Sequence, residues 1–433
     1  MPTGPKRRLW WERATWVIPL FGVLAALLLD LVMDIVDEYE YLAAGAAAGL
    51  SAGAATTILA AIGGGMITFT GFVFSVVLLI LQFGSTAYSP RSVSYFLRAR
   101  SIQWILALFL ATVTFSFLSV LQVGSLGRED FVPATSVLVA VILLLASLTG
   151  FVVLLHSVGR HIRVDAVLSS LGASSRRTLA ERVSFVPRHA TAWAAGMDGE
   201  GPGADVGDAT GGESVPVVDF AGRNGQVVAI DVRALARLAR RKACRIEVLV
   251  RVGDAVTSGT PVARVVGTDR ALNAPVGRAL VVDAERSLVH DPLYALRLLV
   301  DVAIRALSPA VNDPTTAVRA LDEIEGVLRV AASGSLGSVG FDLNPGQLVL
   351  SRPTWDELVD LALLEILQSG RGQVQISRRM LALVEDLIPD VSPELHGVLD
   401  EYRRELLTDA ARMPGRAGRI AQRGDRQGLG GSG

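Results

Sequence analysis

The chain has 433 residues, of which 51% are hydrophobic, a mean hydropathy of +0.44 and a formal net charge of -1. A water-soluble enzyme of this length is rarely so apolar, so a lipid bilayer must solvate part of the chain. The charge balance does not indicate a nucleic-acid partner, which would require an excess of cations. Cys244 is the single cysteine, which excludes an intramolecular disulfide and a cysteine-based zinc cluster.

Four long apolar segments dominate the first part of the chain. Each has roughly the 20 residues that an α-helix needs to cross a bilayer. The predicted spans are 16–36, 56–83, 103–123 and 134–155. A cleaved secretory signal is the alternative for the first segment. The acids between Asp30 and Glu40 argue against it, because they separate the apolar core from the small residues that a cleavage site requires.

Positively charged residues decide the predicted orientation of these spans. Lys and Arg are concentrated in residues 1–13, in the turn 84–101 and just after residue 159, whereas residues 37–55 contain neither. Cytoplasmic loops of membrane proteins carry such an excess of Lys and Arg. We therefore predict a multi-pass protein with both the N- and the C-terminus in the cytoplasm.

The remainder of the chain is charged throughout and predicts a cytosolic α+β domain. Short β-like runs surround one helix at about 232–242, and Pro216 confines the first of these runs to a sheet edge. Asp-Pro pairs predict helices that begin at Pro292 and Pro314, because an aspartate accepts hydrogen bonds as N-cap and proline suits the first helical position. Thr354 and Glu357 form a predicted capping box.

The predicted fold class is therefore a membrane α-helical domain of four transmembrane helices, followed by a cytosolic α+β domain with a small β-rich module and a helical C-terminal part. The predicted boundaries are 1–13 for a basic cytosolic N-terminus, 14–159 for the transmembrane domain, 160–195 for a membrane-proximal helix, 196–213 for a flexible loop, 214–290 for the β-rich module, 291–410 for the helical part and 411–433 for a disordered basic tail. The run 253–259 resembles the hairpin of domains that carry biotin or lipoate. No lysine occupies the modified position, so no cofactor is predicted.

Polar residues inside the apolar segments are the first candidates for a site. Asp30 and Asp34 lie one helical turn apart near the outer end of the first span, where ionised carboxylates are costly in lipid. The two acids predict a cation-attracting vestibule or a proton-coupled pair; the alternative is that the span ends early and both lie merely at the outer interface. The second span adds a possible membrane path: Thr57, Thr68, Thr70, Ser75 and Gln82. Such groups line wet paths, but they also bond neighbouring helices together.

A second set of candidates lies in two turns that contain Ser-Pro. The first comprises Ser89, Pro90, Arg91, Arg98 and Arg100, between the second and third spans. The second is an elbow between two predicted helices and comprises Ser308, Pro309, Asn312, Asp313 and Pro314. The first turn is either a lipid-facing topogenic segment or a docking site. In the latter case an arginine such as Arg91 binds Asp313 and couples the cytosolic domain to the spans.

These segments also carry a family resemblance. The motifs are Ser51-Ala52, the run 71–75, Gln82, Ser89-Pro90-Arg91, the run 96–98, Gln103 and the run 306–317. With them the chain resembles the bacterial predicted membrane proteins grouped as domain-of-unknown-function family twenty-two fifty-four, over nearly its whole length. The resemblance implies an integral protein of the bacterial plasma membrane and carries over no activity, substrate or catalytic residue.

Two functional hypotheses follow from the sequence. The first is an oligomeric channel or transport conduit that its cytosolic domain gates, which requires a homo-oligomer because four spans are few for a pore. The alternative is a membrane-tethered sensor or scaffold that binds a ligand or protein partner. No nucleophile and base, no metal-ligand spacing and no phosphate-binding loop occur, so neither an enzyme nor a metal site is predicted. Besides further copies of the chain, the lipid bilayer is the only partner that the sequence indicates, and the permeant species or ligand is unknown.

Overall fold

The computed structural model describes residues 16–44, 51–87, 100–124, 132–161, 164–183, 191–194, 217–267, 272–284, 286, 291–334 and 336–426. These residues belong to two compact units that divide between residues 163 and 164. The first unit contains only helices, and the second combines helices with two sheets. The predicted fold class is confirmed in this form.

The described residues of the first unit form four helices. They are α1 (Val17–Ala44), α2 (Ala52–Ala87), α3 (Arg100–Gln122) and α4 (Ala134–His161). All four are long and apolar enough to cross a membrane. α1 continues beyond the predicted end of the first span at residue 36, so the acids in this region lie on helical backbone. α2 is also longer than a bilayer requires.

α3 is the central helix of this unit, because it packs against α1, α2 and α4. The contact with α1 is close enough to exclude a side chain: a Cβ on Gly22 would lie 2.4 Å from the carbonyl oxygen of Ala107. Aromatic rings fill the space between α2, α3 and α4. The ring of Phe69 lies 5.5 Å from that of Phe109 and 4.9 Å from that of Phe151, measured between centroids.

The second unit contains a six-stranded sheet and a three-stranded sheet. The strands are β1 (Thr191–Ala194), β2 (Val217–Asp219), β3 (Gly225–Ile230), β4 (Arg245–Val248), β5 (Ala255–Val256), β6 (Pro261–Val266), β7 (Leu280–Asp283), β8 (Val339–Asp342) and β9 (Gln347–Leu350). The larger sheet has the order β1-β8-β9-β4-β6-β2, in which β4 and β9 are parallel and the other pairs antiparallel. The smaller sheet has the order β5-β3-β7.

This topology corrects two predicted boundaries. The β-rich module does not end at residue 290, because β8 and β9 come from the segment predicted to be helical and β9 pairs with β4. The predicted helix 160–195 is also wrong at its end, because β1 lies within that range and pairs with β8. Hydrophobic side chains from both sheets, including Val227, Ile246 and Phe341, share one core with helix α6 (Val232–Lys242).

Besides α6, the helices of the second unit are α5 (Val164–Val183), α7 (Asn273–Ala279), α8 (Pro292–Ala306), α9 (Pro314–Ala332), α10 (Trp355–Ser369), α11 (Val374–Leu387), α12 (His396–Arg412) and α13 (Gly415–Ala421). The helices predicted from the Asp-Pro pairs and the capping box begin where the sequence predicts, whereas α7 and α13 were not predicted. Asp291 caps α8 by accepting from the Tyr294 N–H at 3.1 Å, and Asp313 caps α9 in the same way. The capping box at Thr354 is also confirmed.

The predicted disordered tail is wrong for residues up to 426. α13 is helical, and the Arg426 guanidinium donates to both carboxylate oxygens of Asp386 on α11 at 2.7 and 2.8 Å. The backbone N–H of Asp425 donates to the Arg378 carbonyl at 3.1 Å, and the two side chains form an ion pair at 3.4 Å. The predicted loop 196–213 and residues 427–433 lie outside the described residues.

Candidate functional site

The predicted polar residues of α2 satisfy their hydroxyl donors within their own helix. Thr57 donates to the Gly53 carbonyl at 2.7 Å, and Ser75 donates to the Gly71 carbonyl at 3.0 Å. Thr68 and Thr70 bond the carbonyls of Gly64 and Met66 in the same way, at 3.3 and 2.7 Å. None of these four hydroxyls bonds another described helix. Each hydroxyl donates its hydrogen bond to the backbone, and its oxygen retains lone pairs that can accept from a further donor or coordinate a cation.

One face of α2 combines these hydroxyls with glycines. We define the α2 stripe as Gly53, Thr57, Gly64, Thr68, Gly71, Ser75 and Gln82, all of which are exposed. At 3.6 residues per turn these positions lie within an arc of about 60° and extend for about 43 Å along the helix. A Cβ on any of its three glycines would meet nothing within 4 Å. Thr70 lies roughly 100° away from the stripe and is half-buried.

The α2 stripe faces away from the four-helix unit. Leu59, Met66 and Val73 instead form the buried face of α2. Small and hydroxyl-bearing residues let transmembrane helices approach closely. Lipid chains contact a leucine-rich surface equally well, so contact with lipid does not explain such a composition. The stripe therefore has the composition of a helix–helix interface, but no other described helix of the same chain covers it.

The two predicted acids of α1 lie on a different surface. Asp30 is half-buried and accepts from the Ser119 hydroxyl of α3 at 3.3 Å. Asp34 follows one turn later and is also half-buried. Since Asp30 contacts α3 and the α2 stripe faces outward, the structure does not bring the predicted acids and hydroxyls together into one path within a chain.

A third acid of α1, Asp37, is not among the predicted site residues. Its side chain is 3% exposed and accepts from the backbone N–H groups of Thr135 and Ser136 at 2.8 and 3.1 Å. It also accepts from the Ser136 hydroxyl at 2.5 Å. Asp37 of α1 thus caps the N-terminus of α4, where unpaired N–H groups and the helix dipole favour an anion. Glu40 adds a contact by accepting from the Thr135 hydroxyl at 2.7 Å.

Asp37 is one end of a row of buried and half-buried polar groups, which we call the polar seam. Its members are Asp30, Asp37, Thr112, Ser116, Ser119, Ser136 and Ser147. Thr112 of α3 and Ser147 of α4 bond through their hydroxyls at 2.9 Å. The Ser116 hydroxyl has no hydrogen-bond partner and is fully buried. The seam joins α1, α3 and α4, and beyond Thr112 the rings of Phe109 and Phe151 replace it.

The comparisons with known proteins agree with this architecture. A family model described as Predicted membrane protein (DUF2254) matches residues 12–386. The chain belongs to this family. With its four candidate spans, this DUF2254 member is a membrane protein.

Two relatives of this DUF2254 member are mycobacterial. It is 29% identical over 342 residues to Uncharacterized protein Rv1290c of Mycobacterium tuberculosis and to Uncharacterized protein Mb1321c of Mycobacterium bovis. The match covers 75% of this chain and 62% of each relative, so the chain spans less than two thirds of their length. No solved structure matches the chain.

The elbow of this DUF2254 member is a tight, exposed turn between α8 and α9. Its backbone is held by hydrogen bonds that include those from the Asn312 N–H to the Ser308 carbonyl at 2.8 Å and from the Asp313 N–H to the Ala306 carbonyl at 2.7 Å. Asn312 has a φ of +48°, in the left-handed region. Pro309 and Val311 are exposed at its tip, and the Ser308 hydroxyl donates to the Arg305 carbonyl. Pro314 is the first residue of α9.

The Asp313 carboxylate is already used locally. One oxygen accepts from the Thr316 N–H at 3.2 Å and the other from the Thr316 hydroxyl at 2.6 Å. Ser89, Pro90, Arg91 and Arg98 lie outside the described residues, and Arg100 begins α3. The coupling between Arg91 and Asp313 stays a prediction, in which Asp313 would have to serve as cap and ion-pair partner together.

The second unit offers little reactive chemistry among its described residues. In the part of the chain that the structure describes, no group of three or more His, Cys, Asp or Glu is placed to hold a metal ion. Cys244 is buried, and its burial raises the pKa of the thiol above the ordinary value of 9.0. A thiol in this environment stays protonated and unreactive at neutral pH.

Proposed function

We propose that this protein is an oligomeric channel or transport conduit of the bacterial inner membrane, in which the α2 stripes of neighbouring copies line or flank the path. One observation carries the proposal: the glycines and hydroxyls of α2 are exposed on the outside of the four-helix unit, not enclosed within it. A path lined by these groups therefore has to lie between chains. The homo-oligomer is part of the proposal for this reason.

The chemistry of the stripe supports a path for small cations or water. Its hydroxyl groups donate their hydrogen bonds to backbone carbonyls, so the oxygen lone pairs remain available as acceptors. Rows of such oxygens substitute for part of a hydration shell in membrane pores. The glycines leave open backbone between them, and the stripe is long enough to cross a bilayer.

The polar seam has a different role in this proposal. It ties α1, α3 and α4 into one block through hydrogen bonds such as those of Asp37 and Thr112. α2 joins the block through apolar contacts, which include Phe69 and Met66. A shift of α2 would thus change apolar packing and leave the hydrogen bonds of the polar seam intact. Gating by the cytosolic domain, as part of the proposal, would act on α2.

Ion flux from proteoliposomes tests the conduit. Purified protein should release a trapped cation from vesicles, and Gly64→Leu should reduce both the flux and the cross-linked oligomer. Gly65→Leu is the matched control, because Gly65 is equally exposed and open but lies roughly 100° around the helix from Gly64. Thr68→Val removes only the hydroxyl and should lower flux while leaving the oligomer intact. Vesicles that stay tight with the unaltered protein would refute the conduit.

A sensor or scaffold is the second candidate function, and the elbow favours it. Pro309, Ala310 and Val311 form an exposed apolar tip held by the left-handed Asn312. Such a tip is a natural contact for a cytosolic protein. This reading predicts tight vesicles, together with a partner that cross-links to the unaltered protein and not to Val311→Asp.

The orientation of the chain belongs to the same proposal. The distribution of Lys and Arg supports a cytoplasmic location of both termini. Reporter enzymes that function only in the periplasm should be inactive when fused to either end of the full chain. Activity of such a reporter at either terminus would contradict the proposed orientation or the four-span topology.

A further inference from the structure

The helix α6 carries an unusual charged face. Leu235, Ala236 and Ala239 are buried in the core of the second unit, so that side of the helix is fixed. Its opposite side exposes four arginines: Arg233, Arg237, Arg240 and Arg241. Their spacing of four, three and one residues places them on one face, over about 12 Å of helix. Lys242 follows, and there is no acid between residues 232 and 246.

These arginines are not compensated within the described part of the chain. None of the four forms an ion pair with a described residue, and Arg237 donates only to the backbone carbonyl of Arg233, at 3.2 Å. Other arginines of the same unit are paired, among them Arg251 with Glu357 at 2.7 Å and Arg176 with Glu323 at 2.7 Å. The neighbouring helix α7 adds a further exposed cation, Arg278.

Stability of α6 itself does not account for the pattern. Cations in the last turn suit the helix dipole, which explains Arg240, Arg241 and Lys242. Arg233 lies in the first turn, where the same dipole disfavours a cation. Arg233 and Arg237, and again Arg237 and Arg241, are like charges four residues apart, an arrangement that destabilises a helix. Arg233 and the two like-charge pairs therefore oppose the helix that carries them.

We propose that the exposed face of α6 binds the anionic headgroups of phospholipids in the membrane that holds the same chain. Complementary charge supports this partner, because a flat row of guanidinium groups matches an array of phosphates and no described acid competes for it. The covalent connection through α4 and α5 also keeps the unit near a bilayer surface, so even weak contacts to headgroups are populated. The proposal does not depend on whether the protein conducts.

The test uses the full chain in nanodiscs, with a fluorophore on Ala274→Cys. Ala274 is exposed on α7 next to α6, and the buried Cys244 does not compete for the label. A quencher on the lipid headgroup then reports the proximity of this surface to the bilayer. Quenching should rise severalfold when about a third of neutral phosphatidylcholine is replaced by phosphatidylglycerol, and 0.5 M salt should reverse the rise, because exposed charges are screened.

Charge reversal assigns the effect to α6. Arg237→Glu with Arg241→Glu should reduce the lipid-dependent quenching at least tenfold, since each cation near an anionic surface is worth about a fivefold change in population. Arg416→Glu with Arg419→Glu is the matched control, because both residues are exposed on α13 and the net charge changes equally. This control should retain the quenching.

Three results would overturn the proposal. Quenching that is equal in neutral and anionic nanodiscs would show that headgroup charge is not recognised. An equal loss in the α13 control would show an effect of net charge alone. Inorganic polyphosphate that raises the melting temperature through the α6 arginines, without any lipid-dependent quenching, would identify a soluble polyanion as the partner.

Discussion

Replacing Asp37 should loosen the contact between α1 and α4 more than any other single change in the polar seam. Asp37→Ala removes three hydrogen bonds from the first turn of α4, two of them from backbone N–H groups. Loss of an N-cap costs about 1 kcal/mol, and loss of the anion at the helix N-terminus up to about 2 kcal/mol. Hydrogen bonds between transmembrane helices average about 0.6 kcal/mol each, so three give about 2 kcal/mol. Both routes lead to a loss of about 2 to 3 kcal/mol.

Asp37→Asn separates the charge from the geometry. The amide oxygen can still accept from one backbone N–H of α4, so about half of the loss should remain. Glu38→Gln is the matched control, because Glu38 is adjacent and exposed and its change should have little effect. The expected order of destabilisation is Asp37→Ala, then Asp37→Asn, then Glu38→Gln.

The assay follows opening of the first unit in mixed micelles. All variants carry Cys244→Ala and Ser116→Cys, which places a single thiol at a fully buried position whose hydroxyl has no hydrogen-bond partner. Maleimide labelling during an SDS titration then gives the free energy of opening. A difference below about 0.5 kcal/mol between Asp37→Ala and Glu38→Gln would contradict the assignment of Asp37 as an interhelical cap.

Two further predictions concern the second unit. The hydrogen bonds from Arg426 hold the pKa of Asp386 below its ordinary value of 3.8. The pKa of Asp386 is thus lower in the folded than in the unfolded protein, so Asp386→Asn should lower the urea midpoint at pH 7. The difference between the two proteins should vanish as the pH falls through and below 3.8. A difference that stays constant with pH would contradict the ion pair. Exposure of Arg426 keeps the effect small and sensitive to salt. Cys244 should resist maleimide in native protein at pH 7 and react after urea unfolding, and rapid labelling of folded protein would place this thiol outside the core.

Local sequence signals predicted most of the secondary structure that depends on neighbouring residues alone. The Asp-Pro caps at Asp291 and Asp313 fix helix starts because cap and proline act within one helical turn. Hydropathy likewise located the four apolar helices, because span length depends only on the bilayer. These predictions did not require knowledge of which elements pack together.

Predictions that depend on packing were incomplete. The cap by Asp37 depends on the relative register of α1 and α4, which hydropathy does not contain. The outward direction of the α2 stripe depends on which side of α2 meets α3, although its helical period was readable from Gly64, Thr68 and Gly71. The tail from Pro414 has the composition of a disordered segment, yet ion pairs with α11 hold two of its residues, Asp425 with Arg378 and Arg426 with Asp386.

The position of β4 constrains how the chain can be built on the ribosome. β4 lies between β6 and β9, and its partner β9 is translated about 100 residues later. Until Leu350 has emerged, one edge of the nascent sheet has unpaired N–H and C=O groups and can recruit another chain. A chaperone or rapid elongation over residues 250–350 should therefore raise the yield of correctly assembled protein, and a recombinant fragment that stops near residue 290 should aggregate.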